Sequence, residues 1–271
     1  MSHKIRLLMT LMFALSLMLM PRTANAWPCE QWVIDLHEPH EHDGMKYRIM
    51  DPIDFDAKQK YPVIVSLHGG GGRGGPDSEK ALRDWNQVLA DEKLRKQHPS
   101  YVIVPHSGEG RWEPSHLQKI KDIIKKLPAV DTNKIYVLGH SMGGAGTYTF
   151  IRTDPKYFAA AAPSAGRGSA EDAERIKDVS LWIFHGDKDG VVDIAGDTAL
   201  FEAMKKIKGN TKFTIWEGGN HGVAPMMIKA GPNDGEKSKT EVADTDRCDT
   251  EPNFMRWMFS RSLGGLTGTN P

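Results

Sequence analysis

The chain has 271 residues, of which 39% are apolar, enough for one sizeable domain or two small ones at most. Lys plus Arg and Asp plus Glu number 35 each, so no overall field draws it to nucleic acid or to an acidic membrane surface. It has no heptad pattern, no fixed-period repeat and no long low-complexity tract, which sets aside coiled-coil, solenoid and disordered classes.

Lys4 and Arg6 precede a mainly apolar run from Leu7 to Met20, and Ala24 and Ala26 follow in A-x-A spacing. That is the pattern of a secretory leader cleaved after Ala26. The apolar run, about 14 residues, is shorter than the roughly 20 that a spanning helix needs. Ala26-Trp27-Pro28 before Cys29 does not form a lipoprotein cleavage box. Residues 27–271 are therefore expected to form a single exported domain, periplasmic or extracellular, with no integral membrane segment left. In an oxidising compartment Cys29 and Cys248 have one possible pairing, and a disulfide is expected. Closing a loop of about 220 residues, it would stabilise by about 5 kcal/mol.

His37–Asp43, HEPHEHD, has metal-ligand residue types but reads as a polar turn before the core strands, so no metal site is assigned. Met45–Asp51 alternates like an edge strand. Tyr61–Leu67, Tyr101–Pro105 and Lys134–Gly139 are short β-branched runs, as strands buried on both faces should be. Helical spacing covers Ser78–Gln97 and His116–Leu127, the latter with Leu117, Ile120, Ile123, Ile124 and Leu127 on one face. A further helix runs from Gly143 until it ends near Asp154-Pro155. Strands at "FAAAAP", "VSLWIFHG" and "TKFTIWEG", a helix at "DTALFEAMKKIK" and a terminal amphipathic helix at "NFMRWMFSRSL" complete the series. Alternating strands and helices imply an α/β protein with a mostly parallel central sheet and helices on both faces. Ligands then bind beyond the carboxyl ends of the strands, so the residues just after each strand carry the information.

Gly139–Gly143, GHSMG, matches G-x-S-x-G between a buried strand and a helix. There Ser141 sits at the apex of a sharp turn that tolerates only small neighbours, with a helix N-terminus behind it. A serine hydroxyl needs a base held by a third group. In the order Ser, acid, His, "HGDKDG" supplies the acid and "GGNHG" supplies His221. Asp189 is the favoured acid, because an acid directly after His-Gly usually braces the turn itself; Asp187 and Asp193 remain alternatives.

Gly69, Gly71 and Gly74 satisfy G-x-G-x-x-G, but Pro76 interrupts the loop, the next helix starts late, and no Lys-Ser/Thr follows as in a phosphate-binding loop. The glycines are read instead as one side of an oxyanion hole, with amides from Met142 and from Gly69 or Gly70. His68 braces this loop. Arg73, Trp112, Glu113 and His140 are candidates for the substrate pocket.

The segments "YRIMDPIDFDAKQKYPVIVSLHGGGGRG", "YVIVPHSGEGRW", "DTNKIYVLGHSMGGAGTYTF", "FAAAAPSAG" and "LWIFHGDKDGVVDI" resemble secreted α/β-hydrolases of the phospholipase/carboxylesterase and dienelactone hydrolase-like group. Polyhydroxybutyrate depolymerase-like and feruloyl or acetyl-xylan esterase-like proteins are similar. The resemblance covers residues 45–222 and "FMRWMFSR". It implies the α/β-hydrolase fold without a large lid domain, and a serine carboxylesterase that needs no cofactor. It also supports Asp189, since the second acid of H-G-D-x-D serves the triad in related sequences. A proline often stands where Asp193 does here, and the segment at about 223–250 is longer and more polar than usual. The expected substrate is a small-molecule or polysaccharide-linked ester. Alternatives are a peptidase or acyltransferase with the same triad, or a non-enzymatic polysaccharide-binding protein on this scaffold.

Overall fold

The computed structural model describes residues 29–75, 78–223, 227–228 and 237–266. The expected leader, residues 1–26, lies outside them, as do several residues of the expected insertion.

Nine strands form one sheet: β1 (Glu38–His42), β2 (Met45–Met50), β3 (Tyr61–Leu67), β4 (Tyr101–Pro105), β5 (Val130–His140), β6 (Ala160–Ser164), β7 (Leu181–Gly186), β8 (Thr211–Trp216) and β9 (Ser238–Val242). Their order is β1-β2-β4-β3-β5-β6-β7-β8-β9. The six from β4 to β8 run parallel, while the β1–β2, β2–β4 and β8–β9 pairs are antiparallel.

Side chains alternate across the sheet into two cores, which is why the parallel strands read as unbroken apolar runs. Val63, Val65, Leu67, Leu181 and Ile183 enter one core; Ile64, Trp182 and Phe184 enter the other. Buried residues of α4 (Pro114–Ile124), α5 (Met142–Thr153), α6 (Ala173–Ile176) and α7 (Ala195–Lys206) join the first core. Those of α1 (Gln31–Leu36), α2 (Asp84–Leu89) and α8 (Phe254–Phe259) join the second. The chain passes from β3 to β4 on one side, then crosses back to β5 on the other. The carboxyl ends of β3 and β5 thus flank a topological switch point, where a crevice opens.

Three expectations need correction, on the edge strand, one helix and the cysteines. Met45–Asp51 is not the edge: HEPHEHD supplies β1, joined to β2 by a turn with positive φ at both Asp43 (48°) and Gly44 (69°), the tight hairpin geometry that Asp-Gly favours. The helix expected over Ser78–Gln97 is broken into a 3₁₀ turn (Glu79–Ala81), α2 and α3 (Glu92–Gln97). Ala90 ends α2 and Asp91 caps α3, its carboxylate accepting from Leu94 N–H at 3.0 Å. The expected polar insertion contains β9, which extends the sheet beyond β8. Finally, Cys29 and Cys248 are buried free thiols. Cys29 lies against the Arg83 carbonyl (3.2 Å), ahead of α2, and Cys248 against the Thr211 carbonyl (3.4 Å), where β8 begins. α2 lies on β3, where Trp85 Nε1–H and Asn86 Nδ2–H donate to Ser66 Oγ, and β3 and β8 are four strand spacings apart, about 19 Å. A disulfide needs its Cα atoms within about 7 Å.

Candidate active site

Ser141 links β5 to α5 with φ 57° and ψ −118°, a left-sided conformation uncommon for a residue with a side chain. The turn is enforced by close packing. A Cβ on Gly143 would sit 2.0 Å from the Leu67 carbonyl oxygen, and one on Gly139 would sit 2.4 Å from that of Gly143. The Ser141 N–H donates to the Ser164 carbonyl at 2.9 Å, tying the apex to the end of β6. The hydroxyl stands at the N-terminus of α5, whose first amide, that of Met142, has no carbonyl of its own helix to bond.

The glycine loop faces this apex. A Cβ on Gly69 would lie 3.2 Å from the His140 carbonyl oxygen and 3.4 Å from Ser141 Cβ. Gly70–Gly72 form a single 3₁₀ turn, and the next α-helix begins only at Asp84, so no helix N-terminus receives a ligand at these glycines. His68 is fully buried. Its Nδ1 meets the Gly69 carbonyl at 2.8 Å, and its Nε2 accepts the Ser107 N–H at 3.1 Å. The Trp112 indole N–H donates to the His68 carbonyl at 3.1 Å. Burial, with neighbouring positive charges, pulls the His68 pKa down to about 3 against the bond to Gly69, so the ring stays a neutral brace.

His221, in the loop after β8, reaches both ways. Its Nε2 lies 2.9 Å from Ser141 Oγ and its Nδ1 lies 2.8 Å from Asp189 Oδ2. Asp189 Oδ1 accepts the Val191 and Val192 N–H groups at 2.8 and 2.9 Å. Burial alone would raise the Asp189 pKa. The bonds from Val192, His221 and Val191 outweigh it and hold the carboxyl below its usual value. Asp187 instead accepts the Gly218 N–H at 2.6 Å, and Asp193 accepts the Ala195 N–H at 2.8 Å at the start of α7. Neither is bonded to His221.

Behind Asp189 lies a group that sequence reasoning missed. His185, fully buried, places Nδ1 2.7 Å from Asp197 Oδ2 and Nε2 3.0 Å from the Val192 carbonyl, with Asp189 Oδ2 at 3.3 Å. Both ring nitrogens therefore face acceptors, which only the doubly protonated imidazolium satisfies. Burial opposes that charge, but the bond and charge of Asp197 prevail, so the His185 pKa stands above its ordinary value. Asp197 also accepts the Tyr148 hydroxyl at 2.8 Å and the Gly168 N–H at 2.7 Å. The HGDKD segment carried the only local signal, a histidine at the end of a buried strand.

A cavity of about 620 Å³ opens beside Ser141. Gly70, Met142, Arg73, Trp112 and Glu113 line it. His140 does not. Its ring packs 4.7 Å from that of His221 and 6.0 Å from that of Trp85, and burial pulls its pKa down to about 3. Arg111, Arg152 and Arg167 also line the cavity and had no sequence signal.

The parallel sheet, the switch-point crevice and the serine turn between β5 and α5 define an α/β-hydrolase. Residues 89–247 match the dienelactone hydrolase family, more than half of the chain, and the chain belongs to that family. It is 24% identical over 225 residues to a probable feruloyl esterase C of Aspergillus niger, covering 80% of this chain and 77% of that one. Over 141 residues it is 28% identical to the bifunctional acetylxylan esterase/xylanase XynS20E of Neocallimastix patriciarum, covering 49% of this chain but 20% of that one. Among solved structures, a thermostable esterase matches with a TM-score of 0.71 at 28% identity, over 85% of this chain and 64% of its own, just under two thirds. Membership of this family supports a hydrolase.

Proposed function

We propose that the chain is a serine carboxylesterase working through an acyl-enzyme on Ser141. The observation that carries this reading is the continuous path from Ser141 Oγ to His221 Nε2 at 2.9 Å, and from His221 Nδ1 to Asp189 at 2.8 Å. His221 takes the Ser141 proton as Oγ attacks the ester carbonyl. Asp189 holds the imidazole with its proton on Nδ1 and stabilises the imidazolium that forms. The carbonyl oxygen becomes an oxyanion, for which the amides of Met142 and Gly70, with Gly69 closing the loop, are the donors. His221 then protonates the departing alcohol. Water, deprotonated by His221, attacks the acyl-enzyme, and the acid leaves with Ser141 restored. These steps use protein groups and water alone.

The substrate class proposed is a polysaccharide-linked or related small ester, supported by the feruloyl and acetylxylan esterase names of the relatives. Among the described residues no helix is long and apolar enough to cross a membrane. The Lys4–Ala26 pattern supports export, which N-terminal sequencing of the mature protein would check. The test of the mechanism is a fluorophosphonate probe with mass-spectrometric mapping. It should label Ser141 in folded protein, and Ser141→Ala should lose both labelling and turnover of short-chain 4-nitrophenyl esters. Undiminished turnover by Ser141→Ala would overturn the reading.

A further inference from the structure

The HEPHEHD segment builds something that the ester chemistry does not use. As β1 it sets Glu38 opposite Ile49 and His40 opposite Tyr47. Side chains two apart share a face, so Glu38 and His40 join Tyr47, Ile49 and Asp51 on one side of the sheet. Tyr101 of β4, two residues before the Ile103 that opposes Ile49, faces the same way. These residues, with Phe55 and the Leu127–Pro128 corner, enclose a cavity of about 250 Å³. Its rings are fixed in place. Phe55 stacks on Tyr61, centroids 5.4 Å apart, yet keeps 42% of its surface exposed. Tyr61 meets Tyr101 edge-on at 6.4 Å, and the Tyr101 hydroxyl donates to the Pro128 carbonyl at 2.9 Å. His40 stacks on Tyr47 at 5.3 Å. The cavity is remote from Ser141. Pro128 leads into the start of β5 and Ser141 follows its end, ten residue steps or about 33 Å away.

The polar groups of this cavity are short of partners. The Glu38 carboxylate has only His40 Nε2 beside it, at 3.9 Å. Arg95 Nη2 donates to the Asp51 carbonyl at 3.2 Å, and the Asp51 carboxylate has no Lys or Arg within ion-pairing distance among the described residues. Burial and the Glu38 charge outweigh His40 and raise the Asp51 pKa, as in a carboxylate lacking donors. The Tyr47 hydroxyl bonds to no described residue, and burial raises its pKa too. A sugar ring supplies what is missing. Its hydroxyls donate to carboxylates in short, charge-assisted bonds, and its C–H face, slightly positive, lies against the negative face of an aromatic ring. An organic cation would meet the same carboxylates but would leave the Tyr47 and His40 donors facing a positive charge. The cavity falls just below the usual size of a small-molecule pocket, which suits one ring of a longer ligand. We propose that it is a second, non-catalytic site for one sugar unit of a neutral polysaccharide, held by stacking on Phe55 and by hydroxyl bonds to Glu38 and Asp51. A chain anchored here raises the local concentration of its own esters at Ser141. That anchoring role rests on the proposed polysaccharide-ester reading; the binding itself does not.

Titrating the Ser141→Ala chain with xylohexaose, cellohexaose and mannohexaose, followed by ¹H–¹⁵N spectra, tests this apart from any turnover. At least one sugar should bind with a Kd on the order of 1 mM, the scale that about a dozen ligand atoms support at ordinary efficiency. The shifted amides should lie around Tyr47, Asp51 and Phe55. Phe55→Ala should weaken binding roughly 3- to 10-fold, and Phe55→Trp, which keeps an aromatic face, should restore it. Asp51→Asn should weaken it as well, because a neutral acceptor holds hydroxyls less strongly. Raising salt to about 0.5 M should change nothing, since the ligand carries no charge. Absence of binding by all three sugars, shifts gathered at Ser141 instead, or an affinity unchanged in Phe55→Ala and Asp51→Asn would overturn the proposal. So would choline chloride binding at these amides more tightly than every sugar, and losing affinity with salt. Failure of the esterase reading is a different result, seen as no turnover of 4-nitrophenyl esters by the parent chain, and it leaves the titration intact. Where that reading holds, Phe55→Ala should raise KM on the acetylated form of the polysaccharide whose oligomer binds, with kcat/KM on 4-nitrophenyl acetate unchanged. A polymer KM equal to the parent's would overturn the anchoring role.

Discussion

Replacing Asp189 by Asn keeps the shape of the side chain and changes only what it can donate. The amide cannot choose its orientation freely. Val191 and Val192 both direct N–H groups at the Oδ1 position, at 2.8 and 2.9 Å, so the amide oxygen must stay there. The NH₂ then occupies the Oδ2 position, 2.8 Å from His221 Nδ1. That nitrogen must become an acceptor, and its proton moves to Nε2, which faces Ser141 Oγ at 2.9 Å. A His221 in this tautomer cannot take the serine proton. The equivalent change in a Ser-His-Asp hydrolase lowers kcat by about 10⁴-fold, or about 5.5 kcal/mol of barrier, and the same size is expected here. The NH₂ would also face the His185 N–H across 3.3 Å, but that N–H keeps the Val192 carbonyl at 3.0 Å, so the fold should persist. The assay is kcat on a 4-nitrophenyl ester alongside a denaturant melt, with ¹⁵N spectra of the His221 ring reporting the tautomer. A folded Asp189→Asn protein with kcat within tenfold of the parent would refute the reasoning.

Gly143→Ala should destabilise by about 3 kcal/mol or prevent folding, because its Cβ would lie 2.0 Å from a backbone carbonyl that cannot rotate away; a denaturant midpoint near the parent's would contradict this. Burial lowers the pKa of His37 to about 4 and those of His68 and His140 to about 3, so between those values and about 6.5 the unfolded chain binds more protons and stability rises with pH. The slope for three such groups approaches about 4 kcal/mol per pH unit near pH 5 and falls to about half that at pH 6.5, and urea melts from pH 4.5 to 6.5 measure it. His185 has the opposite sign: its folded pKa is raised, so its contribution is whole below about 6.5 and is lost as pH climbs through the raised value. A His185→Gln protein should lack that alkaline decline and be less stable at pH 6. Two free thiols should titrate with a thiol reagent under denaturant and few without it, with a Tm indifferent to reductant, since both cysteines are buried and unpaired.

The parallel strands were legible because burial on both faces leaves them no polar positions, as in Tyr61–Leu67 and Tyr101–Pro105. The residues whose side chains meet at Ser141 were legible because each follows a strand, and strand ends converge in this architecture. What the sequence hid depends on partners rather than on local preference. Glu38–His42 has little strand propensity and becomes β1 only by pairing with Met45–Met50. The break at Asp91 was masked by an apolar spacing that runs through it. The disulfide expectation rested on compartment and count, which say nothing about which part of the sheet each cysteine occupies. The arginines of the cavity beside Ser141 come from three separate loops and the last turns of α5, so no window of sequence contains them together.

The buried side chains behind Asp189 explain how a carboxylate with no exposed side-chain surface stays ionised. Two amides neutralise one oxygen, but the other has only His221 and, at 3.3 Å, His185. A neutral His185 would have to present a lone pair to Asp197 or to the Val192 carbonyl, and either would repel. With both protons it supplies a positive charge between two acids and satisfies both contacts. Asp197 then fixes that charge to the rest of the fold, since Tyr148 belongs to α5 and Gly168 to the loop after β6. The path therefore leaves α5 at Ser141 and returns to the same helix at Tyr148, by way of His221, Asp189, His185 and Asp197. The distance between the hydroxyl and its base is thus held from both ends by one rigid helix. That demands a fixed separation between Ser141 and Tyr148, which the backbone contacts of Gly143 and Gly139 help to supply.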